Sequence, residues 1–204
     1  MAADGMGAAR NDTHSGRSPA WPVETERLAL RPFEADDLDV LCEIYADPAV
    51  VRYLYEGVRT RDEVREVLER KIAARQLRQE GDTVQAAVAL RATGELVGTV
   101  LLHWVSEAHR QGEIGFVMHP AHNGRGYATE AARPLLAFAF EQMGLHRVIG
   151  RTDARNAGSA RVLEKLGLRR EAHLVENEWI KGEWQSELVY AMLDREAADG
   201  PRPV

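Results

Sequence analysis

Strand-like and helix-like segments follow one another in the order β-α-α-β-β-β-α-β-α-β-β, which predicts an α/β protein with a mixed central sheet. Three observations carry that prediction. Two apolar runs, VQAAVAL and ELVGTVLLHWV, flank Thr93-Gly94 and read as a hairpin. The stretch from Gly112 to Met143 reads as a short strand, a glycine-bearing turn and a long amphipathic helix. A further strand, Arg147 to Thr152, is followed by a helix from about Asn156 to Leu166 and by a hairpin about Lys181-Gly182.

Taken in order, residues 1–20 are rich in Ala, Gly, Asp, Ser and Arg without periodicity and are expected to form a disordered tail. Residues 21–196 are read as one domain and residues 197–204 as a polar, Pro-containing tail. Leu28, Leu30 and Pro32 mark the first strand. Asp36 or Asp37 can cap a helix carrying Leu38, Leu41, Cys42 and Tyr45, which ends near Asp47-Pro48. VVRYLYEG then reads as a loop. Thr60 and Glu63 form a T-x-x-E capping box. The helix they open presents Val64, Val67, Leu68, Ile72 and Leu77 on one face and stops by Gly81. Within the long helix, Ala128, Ala131, Leu135, Phe138 and Ala139 make the apolar face. Pro134 removes one backbone bond there and should kink the helix or require compensation, and Gly144 stands where a left-handed cap is usual.

With 204 residues, 45% hydrophobic and 28% charged, the composition is that of a soluble globular domain with a sizeable core. A net charge of −6 argues against a broad nucleic-acid footprint. Cys42 is the single cysteine, so no intramolecular disulfide or cysteine-rich metal site forms. His119 and His122 share a linker without an acidic residue, and the chain has no H-E-x-x-H pair, so no metal site is expected. There is no apolar run of membrane-spanning length and no signal-peptide core at the start, which leads to the expectation of a cytoplasmic protein with no membrane partner.

The turn NGRGYATEA is the most informative stretch. Gly124, Gly126 and Ala128 carry almost no side-chain bulk, and the first N–H groups of the following helix are left without intrahelical partners. With the positive end of the helix dipole they form an anion site suited to a phosphate or diphosphate. Spacing separates the families that use such a turn. The chain has no G-x-x-x-x-G-K-[ST] run. The dinucleotide fingerprint G-x-G-x-x-G fits Gly124 and Gly126 but meets Thr129 at its third glycine, lacks the acidic residue about 20 positions on, and does not allow for the intervening HPAHN.

Asn123 to Ala128 instead resembles the acyl-CoA loop [Q/R]-x-x-G-x-[G/A] of the GNAT superfamily of N-acetyltransferases, with Asn123 departing from the usual Gln or Arg. DARNAGSARVLEKLGL resembles a second pattern of that family, N-x-x-S-x-x-x-x-x-K-x-G-F, through Asn156, Ser159, Lys165 and Gly167, with Leu168 in place of Phe. The likeness runs from about Thr25 to Leu193. TERLALRPF and ENEWIKGEWQSELVYAML look like its RimJ/RimL branch, which acetylates protein N-terminal amines and various small amines.

The resemblance implies a sheet whose two central strands, ending near Met118 and Thr152, splay apart to admit acetyl-CoA. It implies an acetyl-CoA-dependent N-acetyltransferase in which a primary amine attacks the thioester directly. Phe116, Val117 and Met118 would line the pantetheine arm, with N–H groups around Val117 and Met118 holding the carbonyl oxygen. Asn123, Gly124, Arg125, Gly126, Tyr127, Ala128 and Thr129 would take the diphosphate. Asn156 would bond pantetheine amides while capping its helix. Glu113 is the candidate base, Ser159 the candidate donor to the leaving thiolate, and Lys165 and Arg161 candidates for the adenosine phosphates. Tyr53 and Trp104 are candidate acceptor contacts, with Tyr55 beside them; Trp104, Trp179 and Trp184 read as core or cleft residues. The partner is an amine acceptor, and a homodimer is compatible with the sequence. A non-catalytic acyl-CoA-binding module on the same fold, or an NAD(P) protein, remain as rival classes.

Overall fold

The computed structural model describes residues 16–198. Its strands are β1 (Val23–Glu24), β2 (Leu28–Arg31), β3 (Thr83–Leu90), β4 (Leu96–Ser106), β5 (Gln111–Met118), β6 (Arg147–Asp153), β7 (Arg169–Ile180) and β8 (Glu183–Leu193). The helices are α1 (Leu38–Ala46), α2 (Pro48–Val51), α3 (Arg61–Ala73), α4 (Tyr127–Ala137), α5 (Ala157–Lys165) and α6 (Asp194–Ala198). The strands form one mixed sheet in the order β1-β2-β3-β4-β5-β6-β8-β7. Only β5 and β6 run parallel. The predicted fold class and the order of its main elements are therefore present, with short β1, α2 and α6 added.

Successive side chains of a strand point to opposite faces, and both faces of this sheet are covered. Val84, Ala86 and Val88 of β3 join the larger core with Ala131, Leu135 and Phe138 of the α4 region and Leu163 of α5. Ala87, between them, faces the second core of Phe33, Leu41, Ile44, Val64 and Leu68 under α1 and α3. Two-sided burial explains why VQAAVAL is apolar at every position but Gln85 instead of alternating.

Several boundaries differ from expectation for local reasons. Part of the expected N-terminal tail lies outside the described residues, but Arg17 pairs with Leu77 through two backbone bonds of 2.7 Å, so the packed chain starts before residue 21. That bridge accounts for Leu77 being buried although α3 ends at Ala73. Ala197 and Ala198 belong to α6, and the rest of the expected C-terminal tail lies outside the described residues. Asp37 closes a 3-10 turn before α1 by accepting from Glu34 N–H at 2.9 Å. Asp47 caps α2, accepting from Ala49 N–H at 2.7 Å, where a loop was expected. The Thr60–Glu63 capping box forms as predicted. Pro134 is accommodated inside α4, and the chain then widens into a π-turn over Phe138–Gln142 before Gly144 at φ 66°.

Trp179 and Trp184, expected in core or cleft, are 61% and 56% exposed. They are cross-strand partners at the end of the β7–β8 ribbon, stacked edge to face with centroids 5.3 Å apart. The ribbon extends past the last β6 pairing, Asp153 with Glu187, so no third strand covers them.

Candidate active site

Two strands that run side by side and then part create the site. β5 and β6 pair only over Gln111–Glu113 and Arg147–Ile149; beyond that their facing edges are unpaired. Val117 N–H and C=O lie in the β4 ladder, because His119 N–H bonds Val97 O at 2.9 Å and ladder groups alternate. The free edge therefore presents the N–H groups of Phe116 and Met118, which corrects the expectation that Val117 would donate there.

At the end of β5 the chain makes a short 3-10 turn (Pro120–His122) and enters α4 through two left-handed glycines, Gly124 at φ 77° and Gly126 at φ 81°. Only glycine adopts that geometry without strain. The first intrahelical bond is Glu130 N–H to Gly126 O at 3.0 Å, and no side chain caps the helix. Tyr127, Ala128 and Thr129 therefore offer N–H groups to whatever occupies the cleft.

The cleft has a volume of about 500 Å³ and gathers sequence-distant residues: Phe116, Val117, Met118, Asn123, Gly124, Gly126, Tyr127, Ala128, Thr129, Asn156, Ser159, Arg161, Lys165 and Tyr53. Of the expected cofactor residues, Arg125 is not on the wall; its carbonyl instead accepts from Arg27 Nη1 at 3.0 Å. Asn156 Oδ1 accepts from Ser159 N–H at 3.0 Å, capping α5 and leaving the amide nitrogen free to donate. Such a cradle of glycines, bare amides and an unsealed helix mouth fits the diphosphate and pantetheine of coenzyme A.

The loop is held from outside by a latch that the sequence did not reveal. Arg27 Nε donates to Glu130 Oε2 at 2.7 Å, Arg27 N–H and Thr25 Oγ1 reach Glu130 Oε1 at 2.8 and 2.6 Å, and the Arg27 guanidinium lies 4.7 Å from the Tyr127 ring centroid. Burial raises the Glu130 carboxyl, but these donors outweigh it and hold the group below the usual carboxylate range. Removing the latch should loosen the loop without touching the chemistry. Arg27→Ala is expected to raise KM for acetyl-CoA roughly three- to tenfold while kcat changes less than twofold, measured by steady-state kinetics.

A second, smaller cavity of about 100 Å³ adjoins the first and shares Tyr53, Arg151 and Thr152 with it. Glu113 lines this one, together with Tyr55, Asp153, Glu178 and Glu187. Glu113, the expected base, is held in an ion pair. Arg151 grips its carboxylate with contacts of 2.9 and 3.3 Å. The partner escaped notice because Arg151 sits 38 residues away and meets Glu113 only once β5 and β6 lie side by side.

Trp104, a candidate acceptor contact, lines neither cavity. It is 7% exposed within the larger core, since its position on β4 turns the ring under the sheet. Ala49, Val50, Leu54 and His122 were missed as cleft residues; no local pattern marks them. His119 and His122 each bond a carboxylate, Glu43 at 3.2 Å and Glu95 at 2.9 Å. Among the described residues no group of three or more His, Cys, Asp or Glu is arranged to hold a metal ion, and no helix is long and apolar enough to cross a membrane.

Comparison with known proteins agrees with this geometry. The chain is 33% identical over 175 residues to the protein named Uncharacterized N-acetyltransferase YnaD of Bacillus subtilis (strain 168), covering 85% of this chain and 98% of that one. The crystal structure of an acetyltransferase of the GNAT family from Bacillus anthracis superposes with a TM-score of 0.77 at 34% identity, covering 85% and 98% of the two chains. A spermidine N-acetyltransferase from Vibrio cholerae, crystallised with CoA and spermine, superposes with a TM-score of 0.71 over 85% of this chain and 99% of that one; at 23% identity this likeness carries the fold alone. Residues 27–169 match the family described as the acetyltransferase (GNAT) domain, and the chain, with its splayed strands and glycine-lined helix mouth, belongs to it.

Proposed function

We propose that this acetyl-CoA-dependent N-acetyltransferase passes the acetyl group directly to a primary amine, either a peptide α-amine or a small-molecule amine, and that it belongs with the RimJ/RimL branch. One observation carries the reading: the unpaired edge of β5 and the uncapped start of α4 open into a single cleft. The N–H groups of Tyr127, Ala128 and Thr129 hold the diphosphate. Those of Phe116 and Met118 hold the pantetheine arm and polarise the thioester carbonyl, a preorganised contribution of roughly 3–4 kcal/mol to the transition state. Asn156 steadies the arm through its free amide nitrogen. Ser159, in the first turn of α5 and on the cleft wall, returns a proton to the leaving thiolate.

Direct attack requires both substrates in the site together. Initial rates with acetyl-CoA and amine varied in turn are expected to give intersecting double-reciprocal lines. Parallel lines would indicate an acyl-enzyme and reject direct attack. Coenzyme A binding with no amine-dependent release of thiol would favour the non-catalytic module.

A further inference from the structure

The turn that joins β7 to β8 carries a residue its geometry does not favour. Ile180 pairs with Glu183, so Lys181 and Gly182 are the two central residues, and both have positive φ, 52° and 81°. Hairpin turns of that shape take Asn, Asp or Gly at the first position, because a longer side chain crowds its own backbone there. A strained residue persists where its surroundings hold it in place. Here the side chain crosses to another element. Lys181 Nζ donates to Val51 O at 2.5 Å and to Arg52 O at 3.4 Å.

Those carbonyls close α2, a helix of only four residues. A single turn has little stability of its own, and its last carbonyls form the negative end of the helix dipole, which an ammonium ion suits. α2 and the chain after it make one side of the larger cleft, where Ala49, Val50, Tyr53 and Leu54 face Phe116, Val117 and Met118 of β5. Val50 and Val117 also pack on the same smaller core. The wall that Lys181 grips therefore stands against the strand whose free edge offers the Phe116 and Met118 N–H groups. Lys181 itself lines neither cavity. It sits where the ribbon has run past its last pairing with β6, close to the tie from Arg155 to Glu183 at 2.9 Å.

We propose that Lys181 is a positioning residue: it couples the ribbon tip to α2 and so fixes the cleft wall beside the thioester. Its part in turnover rests on the transfer reading above; its hold on α2 does not. Reacting groups displaced by about 1 Å can lose a hundredfold in rate. A wall that drifts from β5 therefore costs turnover, while the glycine-lined mouth of α4, on a different element, still binds the nucleotide.

The test uses the full chain and Lys181→Asn, which gives the turn a residue it favours and removes the ammonium. The variant should melt within a few degrees of the wild type and bind coenzyme A within threefold by calorimetry. With coenzyme A bound, the amides of Arg52 and Leu54, bonded to Pro48 O and Val51 O at 3.0 Å, should exchange with solvent at least tenfold faster. Transfer is read as thiol release from acetyl-CoA with spermidine, 1,5-diaminopentane or tetraalanine. With the best of these, kcat/KM for the amine should fall at least tenfold. Lys181→Arg, which keeps the cation, should recover most of both effects. Unchanged exchange at Arg52 and Leu54 overturns the coupling. Faster exchange with unchanged kcat/KM overturns the positioning role. A melting temperature lower by about ten degrees or more would make Lys181 a stabilising residue and overturn the assignment as well. Faster exchange in Lys181→Asn, with no thiol release by the wild type on any of the three amines, upholds the hold on α2 and places the failure in the transfer reading.

Discussion

Gly126→Val is expected to reduce coenzyme A affinity by at least a hundredfold while leaving the melting temperature within a few degrees of the wild type. The residue stands at φ 81° immediately before α4, where a β-branched side chain is held in a conformation costing about 1–2 kcal/mol. Relaxing that strain would rotate the amides of the loop away from the cleft. A bond from a backbone N–H to a charged phosphate contributes about 1.5–3 kcal/mol, so misaligning two of them already costs a hundredfold or more. A side chain there would also grow toward Arg27, whose guanidinium lies 3.5 Å from the position of an added Cβ. Titration calorimetry with coenzyme A measures the loss. Binding within threefold of the wild type would remove the loop from the cofactor site and with it the basis for the catalytic assignment.

Lys71→Met should stabilise the protein near neutral pH, an unusual result for deletion of a native side chain. Lys71 is on α3, 5% exposed, and its ammonium reaches Gln85 Oε1 at 2.7 Å and lies 5.1 Å from the Phe33 ring centroid. Burial lowers its pKa from 10.5 to about 8. At 1.36 kcal/mol per unit this corresponds to about 3 kcal/mol of penalty for keeping the charge buried. Subtracting about 1 kcal/mol for the bond to Gln85 leaves a gain of about 2 kcal/mol, or roughly 4–8 °C in Tm for a chain of this size. The pH dependence follows from the direction of the shift. Below about pH 8 both folded and unfolded states carry the proton and the penalty is complete. Between there and 10.5 the unfolded state holds more protons, so wild-type stability rises with pH and the advantage of Met shrinks. Thermal melts from pH 6 to 10.5 report both effects; a Met variant less stable than the wild type at pH 7 would mean that the bond to Gln85 outweighs desolvation.

The two sites differ in how much of each could be read from residues alone. The cofactor cleft is largely local. Asn123 to Thr129 is one continuous turn, and its glycines advertise their backbone geometry through their identity. Asn156 and Ser159 belong to one helix start. Residues of the smaller cavity come instead from β5, β6, β7, β8 and the loop after α2, and no short pattern relates them.

What the sequence determined by itself is what depends on neighbours a few residues away: helix and strand periodicity, the Thr60–Glu63 cap, the hairpin about Lys181-Gly182 and the glycine-lined mouth of α4. The tertiary structure alone decided which charges meet. Arg27 reaches Glu130 across 103 residues, Arg151 reaches Glu113 across 38, and Trp104 is turned inward. These outcomes are set by strand order and register, and shifting a strand by one residue would send every one of its side chains to the opposite face. Local propensity carries no information about that choice, so the partner of a charge, and therefore whether a carboxylate is free to take a proton, is fixed only when the sheet is assembled.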